Sequence, residues 1–204
     1  MVNVESALAH PHSGRRPPAP AGAMSVVRSR LAWIALVCTP VSVLTAQGPP
    51  AGVPDAFFVP SRQSIADAML ALAEVTPTDL VYDLGSGDGR VLILAAQKYG
   101  ARGVGIEIDP ALVARARAVA EEGGVADRVR FIEGDLFTAD ISQATVVTLY
   151  LSTRANRRLL PKLRSELHPG ARIVSQQFDL RPWTPDTLVR REGAQLRLWR
   201  VPAR

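Results

Sequence analysis

Residues 81–90 read Val81-Tyr82-Asp83-Leu84-Gly85-Ser86-Gly87-Asp88-Gly89-Arg90, an apolar run that ends in an acid and then in glycines alternating with small polar residues. Leu80 to Leu84 predicts a short buried strand. The glycines predict a sharp turn out of it, because residues without a Cβ accept turn conformations and let a ligand approach the backbone. A helix is predicted at once afterwards, over Arg90 to Tyr99, with Val91, Leu92, Leu94 and Ala95 inward. Its first amides add donors and a positive field at the turn.

The same alternation continues on both sides. Upstream, Ser64-Ile65-Ala66-Asp67 fits a capping box, and Ile65, Ala68, Met69, Leu72 and Ala73 recur at helical spacing, so 62–74 reads as an amphipathic helix. Downstream come strands over Gly103 to Ile108, Val129 to Ile132, Ala144 to Leu149 and Ala171 to Ser175. Helices are predicted from Pro110 to Glu122, with proline suited to the first turn, and from Asn156 to Leu167, with Leu159, Leu160, Leu163 and Leu167 on one side. Residues 188–192 and 195–201 flank Gly193-Ala194 and read as a hairpin. The expected fold is α/β and Rossmann-like, a mostly parallel sheet closed by a C-terminal antiparallel hairpin.

The chemistry of the turn follows from its spacing. A dinucleotide fingerprint places glycines at positions one, three and six. Counting from Gly85, the sixth position is Arg90, which would crowd the helix–strand contact. No Gly-Lys-Ser/Thr triplet of a phosphate loop occurs. Asp83 ahead of the glycines would repel a diphosphate and attract a cationic amino group. Glu107 ends the second strand, 24 residues after Asp83, near the offset of a ribose-binding acid. Asp135, after the third strand, can accept an exocyclic adenine amine, with Leu136 or Ile108 against the ring. Three consecutive strands thus end in acids, a set that fits S-adenosylmethionine, which carries an amino group and no phosphate. Asp88 and Asp109 read instead as caps or solvent-facing acids, and Arg90 as a partner of Asp88 or of a ligand carboxylate.

Composition narrows the remaining classes. Among 204 residues, 47% are hydrophobic and 21% charged, ordinary for a folded domain. One cysteine and three histidines argue against a metal site, and none is expected. The net charge of +5 is concentrated in residues 1–46, which hold four arginines and one glutamate; the remainder holds 20 basic and 18 acidic groups, so no nucleic-acid partner is expected. Residues 1–23 read as a proline-rich tail or a start-codon artefact ahead of Met24. Residues 24–46 carry Arg28 and Arg30 before an apolar stretch from Leu31 to Leu44, the grammar of a signal peptide or membrane anchor. That implies a cell-envelope or exported location, or the cytoplasmic face of a membrane. Residues 47–60 are a proline-rich linker, and 61–204 form the catalytic domain.

The stretch from Phe58 to Trp199 resembles the class I S-adenosylmethionine-dependent methyltransferases. More narrowly it is similar to bacterial relatives of the mitochondrial protein-lysine N-methyltransferases. The resemblance rests on Phe58-Val59-Pro60-Ser61, Asp83 to Arg90, Val104 to Pro110, Glu133 to Leu136, Thr148-Leu149-Tyr150-Leu151, and Val174-Ser175 followed by Phe178 and Trp183. It implies cofactor contacts by Asp83, Gly85, Ser86, Gly87, Glu107, Ile108, Asp135 and Leu136. It also implies a substrate edge at Phe58, Ser61 and Trp183, with Tyr150 as the catalytic candidate beside the transferred methyl. The implied reaction is methyl transfer to a protein lysine. Two alternatives stay open: a small-molecule or lipid methyltransferase, and a catalytically silent cofactor-binding module.

Overall fold

A computed structural model describes residues 60–203. The elements run α1 (Gln63–Leu72), β1 (Leu80–Leu84), α2 (Arg90–Tyr99), β2 (Arg102–Glu107), α3 (Pro110–Glu122), β3 (Val129–Glu133), β4 (Val146–Leu149), α4 (Thr153–Glu166), β5 (Arg172–Gln176), β6 (Thr187–Arg191) and β7 (Ala194–Arg200). The tail, the signal-like segment, the linker up to residue 59 and Phe58 lie outside the described residues. Among the described residues, no helix is long and apolar enough to cross a membrane.

The seven strands form one sheet in the order β3-β2-β1-β4-β5-β7-β6. β1 pairs in parallel with β2 and β4, β2 with β3, and β4 with β5, while β7 is antiparallel to both β5 and β6. The predicted hairpin therefore forms, but its second strand inserts beside β5 and leaves β6 at the edge. The chain leaves β1 toward β2 on one side and returns to β4 on the other. A crevice opens at such a switch point, beyond the carboxyl ends of the strands.

Strand alternation builds two cores. Val81, Val146, Val174, Leu196 and Phe131 face α1, α2 and α3 with Met69, Leu92 and Ala116. Tyr82, Leu84, Ile106, Val147, Leu149 and Trp199 face α4 with Leu159, Leu163 and Leu167. On α2, Ile93 is buried and Leu94 only partly so, correcting the predicted inward set.

Two local expectations are overturned by distant partners. α1 starts at Gln63 without a side-chain cap. Ser64 Oγ donates instead to Glu192 Oε2 at 2.7 Å, and Asp67 accepts from Lys98 Nζ at 2.6 Å and Tyr99 Oη at 2.8 Å. The capping box is lost because both of its side chains find longer-range hydrogen-bond partners. α4 starts three residues before the predicted Asn156, because Ser152 Oγ accepts from Ala155 N at 3.1 Å and caps it.

A polar knot ties the edge of the sheet away from the carboxyl ends. Asp79, 4% exposed, accepts from Thr76 N at 2.8 Å, from Thr145 Oγ1 at 2.7 Å and from Arg172. Arg172 also donates to the carbonyls of Ala73 at 2.7 Å and Glu74 at 3.1 Å, joining the end of α1 to β5. Asp79→Ala would leave Arg172 buried without its counter-charge. It should cost about 3–5 kcal/mol of stability, measured as a lowered urea midpoint with an unchanged slope.

Candidate functional site

The carboxyl ends of β1, β2, β3 and β4 share one edge of the sheet, so the acids that end the first three strands meet there. Asp83 lies in register with Gly105 of β2 and Thr148 of β4. It is buried, 6% exposed, and its Oδ1 accepts from Thr148 Oγ1 at 2.7 Å. Burial pushes its carboxyl up to about 7; the Thr148 bond opposes that, and the nearby Glu107 and Asp88 charges add to it.

Glu107, also buried, anchors the glycine turn: its Oε2 accepts from Gly87 N at 2.9 Å and its Oε1 from Ile108 N at 2.8 Å and Asp109 N at 3.0 Å. Three further turn amides are also engaged internally. Gly85 N and Ser86 N both donate to Ile106 O, at 2.9 and 3.1 Å, and Gly89 N donates to Ser86 O at 2.9 Å. Amides engaged this way do not form a phosphate cradle, and the groups facing the turn are acceptors. The Ser86 hydroxyl is buried and makes no hydrogen bond among the described residues. This donor and acceptor set suits a ligand that brings a cationic amine and hydroxyl groups.

Two of the glycines serve packing and not the ligand. A Cβ on Gly89, whose φ is +78°, would stand 2.5 Å from the Phe131 ring, and one on Gly105 would stand 2.6 Å from both Phe131 and Ser86 Oγ. Phe131 of β3 therefore occupies the space beside Gly89 and Gly105.

The other predicted residues fall into three groups. Around the acids, Leu136 packs within 3.9 Å of a Cβ placed on Gly85, and Asp135 is half-buried with Oδ1 accepting from Phe137 N at 2.9 Å. Ile108 beside them is 56% exposed, a large apolar side chain presented at the rim. On the far side of the turn, Ser61 Oγ donates to Gln176 Oε1 at 2.5 Å and its carbonyl accepts from Arg90 at 2.7 Å. Arg90 also grips Asp88 through Nε at 2.9 Å, so Asp88 is a buried ion-pair partner and not a solvent-facing acid. Asp109 is the cap of α3, accepting from Ala111 N at 2.8 Å. Tyr150 follows β4 and stacks on Phe178, ring centroids 6.4 Å apart.

Trp183 is a correction. Its carbonyl accepts from Trp199 Nε1 at 2.9 Å and its ring lies 5.1 Å from the Arg164 guanidinium. α4 leaves the site edge at Thr153, and Arg164 is eleven residues further, about 16 Å along the axis. Trp183 therefore covers the α4 core and does not border the strand ends.

Residues missed from sequence include Thr148, the partner of Asp83, and Asn156. Asn156 is fully buried and donates to Ser175 Oγ at 3.3 Å and to the carbonyls of Phe178 at 3.3 Å and Asp179 at 3.2 Å. Its spacing of three and four residues before Leu159 and Leu160 was the available signal, since it puts a polar side chain on the buried stripe. Among the described residues, no group of three or more His, Cys, Asp or Glu could hold a metal ion.

Residues 83–187 match the ANTKMT methyltransferase domain family. The chain belongs to that family, within the class I S-adenosylmethionine-dependent methyltransferases. It is 41% identical over 145 residues to a protein-lysine N-methyltransferase of Saccharolobus islandicus, covering 71% of this chain and 90% of that protein. It is 38% identical over 143 residues to the adenine nucleotide translocase lysine N-methyltransferase of Mus musculus, covering 70% of this chain but only 61% of that protein. A solved structure described as an RNA methyltransferase from Salinibacter ruber in complex with S-adenosyl-L-homocysteine is 55% identical, with a TM-score of 0.71, covering 72% of this chain and 95% of that one.

The buried Asp83 sets a pH dependence for the methyltransferase domain. Its carboxyl titrates near 7 when folded and near the ordinary 3.8 when unfolded. Between those values the folded state holds more protons, so stability falls as pH rises from about 4 through 7. Asp83→Asn keeps an acceptor for Thr148 and cannot ionise. At pH 8, without cofactor, the variant should melt at a higher temperature than the wild type. At pH 4 the difference should vanish, as read by scanning calorimetry.

Proposed function

We propose that this chain transfers methyl groups from S-adenosylmethionine to a protein lysine. The observation that carries the cofactor half is the buried, acceptor-rich turn at the ends of β1 and β2, which has carboxylates where a phosphate site needs free amides. The lysine half draws on the relatives named as lysine methyltransferases, from Saccharolobus islandicus and from Mus musculus. S-adenosylmethionine, when bound, supplies a methyl on a sulfonium sulfur, which an amine nitrogen takes as the carbon–sulfur pair returns to sulfur.

The residues of the chain then divide the work. Asp83 ionises against the cofactor's ammonium, which recovers the electrostatic cost of burying a carboxylate. Glu107 holds the Gly87 turn and accepts from ribose hydroxyls with its remaining lone pairs. Asp135, Leu136 and Ile108 enclose the adenine. Tyr150, on the loop after β4, walls the path of the incoming amine with Phe178. Alignment of nucleophile and methyl is the main contribution such a site makes.

A second reading, methyl transfer to RNA, is favoured by one observation. α4 carries Arg154, Arg157, Arg158, Lys162 and Arg164 against the single acid Glu166, a concentration of positive charge that the nearly balanced domain conceals in sequence. The name of the Salinibacter ruber protein points the same way. We further place the acceptor at the cell envelope, from the apolar stretch between Leu31 and Leu44. Fractionation with protease accessibility tests that location.

Incubating the protein with methyl-labelled cofactor and a cell-envelope extract should put the label on lysine, identified by mass spectrometry. Label confined to lipid or RNA would overturn the lysine assignment. Asp83→Asn should weaken cofactor binding by about 1.5–3 kcal/mol, roughly ten- to hundredfold, by titration calorimetry. Unchanged affinity would remove Asp83 from the site.

A further inference from the structure

The turn after β5 borders a cleft of about 310 Å³ lined by Thr153, Arg157, Gln177, Phe178, Asp179 and Arg181. Its wall reaches the candidate site through one aromatic pair. Phe178 stacks on Tyr150, and two residues before Tyr150, Thr148 donates to the buried Asp83. A side chain in the cleft along Phe178 therefore lies beside the aromatic pair that leads to Tyr150, just past β4.

Among the described residues, Asp179 is the one carboxylate lining that cleft. Its backbone is held from two directions: Asn156 of α4 donates to the carbonyls of Phe178 and Asp179, and Ser175 Oγ of β5 donates to Phe178 O at 2.6 Å. The backbone that carries this carboxylate is thus fixed to the sheet and to α4. Its cationic partner is not. Arg181 Nε lies 2.8 Å from Asp179 Oδ2, but the Arg181 side chain is 85% exposed, against 22% for Asp179. An ion pair with one end so exposed is screened by water and contributes little to stability, so another cation can exchange for it.

We propose that Asp179 receives the ε-ammonium of the substrate lysine in place of Arg181, with the aliphatic stem lying along Phe178 and Tyr150. This rests on the lysine reading above. A carboxylate and an ammonium form a charge-assisted bond, and a lysine stem packs well on apolar surface while its head stays polar. The carboxylate favours the protonated amine, so Asp179 contributes to capture. On leaving Asp179 the amine gives up its proton to solvent water, and the freed nitrogen lone pair then takes the methyl from the sulfonium. The effect accordingly falls on KM more than on kcat. Arg181 competes with the substrate for the same oxygen atoms.

That competition makes the test directional. Methyl transfer to the labelled acceptor protein is measured for the full chain and for Asp179→Asn and Arg181→Ala. Asp179→Asn should raise KM by about tenfold with kcat nearly unchanged. Arg181→Ala should lower KM, because the competing cation is gone. Both variants should keep the wild-type thermal midpoint and affinity for S-adenosylhomocysteine. An unchanged KM in Asp179→Asn, with lysine still methylated, would overturn the proposal. So would a rise in KM in both variants, which would make the ion pair a structural tie or Arg181 a contact for acidic substrate residues. A wild-type enzyme that labels no lysine would remove the lysine reading itself, and the role of Asp179 with it.

Discussion

A carboxyl group buried at the end of β1 is the constraint around which the site is built. Asp83 has neighbours on both flanking strands and in the turn above it, and among the described residues only Thr148 donates a hydrogen bond to it. Glu107 and Asp88 raise the cost of its charge. Each of those acids is itself fixed by a separate job, Glu107 to the turn amides and Asp88 to Arg90. Three carboxylates stay close together because Glu107 is held by three backbone amides and Asp88 by the Arg90 guanidinium. The third remains to be matched by something cationic from outside the chain.

The opposite edge of the same sheet shows the complementary arrangement. Asp79 is as little exposed to solvent as Asp83, yet its carboxyl is held below the usual range despite the cost of burial, through bonds from Thr145 and Thr76 and the charge of Arg172. One edge therefore carries a satisfied ion pair that knits α1 to β5. The other carries an acid for which no described residue supplies a counter-charge. Buried groups left in that condition lower stability and are retained where a ligand compensates them.

Between these edges, α4 ties the sheet to the turn after β5. Its apolar stripe packs on the sheet through Leu159, Leu163 and the following Leu167, and its first turn places Asn156 where it holds the carbonyls of the turn after β5. That turn in turn positions Phe178 against Tyr150. The exposed face of α4 is strongly basic, although the domain as a whole is nearly balanced in charge.

The order of strands and helices was legible in the residues, as was the row of acids at the strand ends. Both are carried by contiguous patterns: a change of apolar period between two and about 3.6, and an acid and glycines just past an apolar run. What those residues do was settled by partners far away in the chain. Thr148, 65 residues from Asp83, and the depth of burial determine how that acid ionises. Phe131 explains Gly89 and Gly105. Ser64 and Asp67 abandoned a local cap for Glu192, Lys98 and Tyr99, and Trp183 turned to Trp199 and Arg164 instead of the site edge. The insertion of β7 between β5 and β6 belongs to the same class. Local propensity and spacing constrain conformation along the chain, whereas burial, hydrogen-bond pairing and charge compensation depend on which segments the sheet brings together.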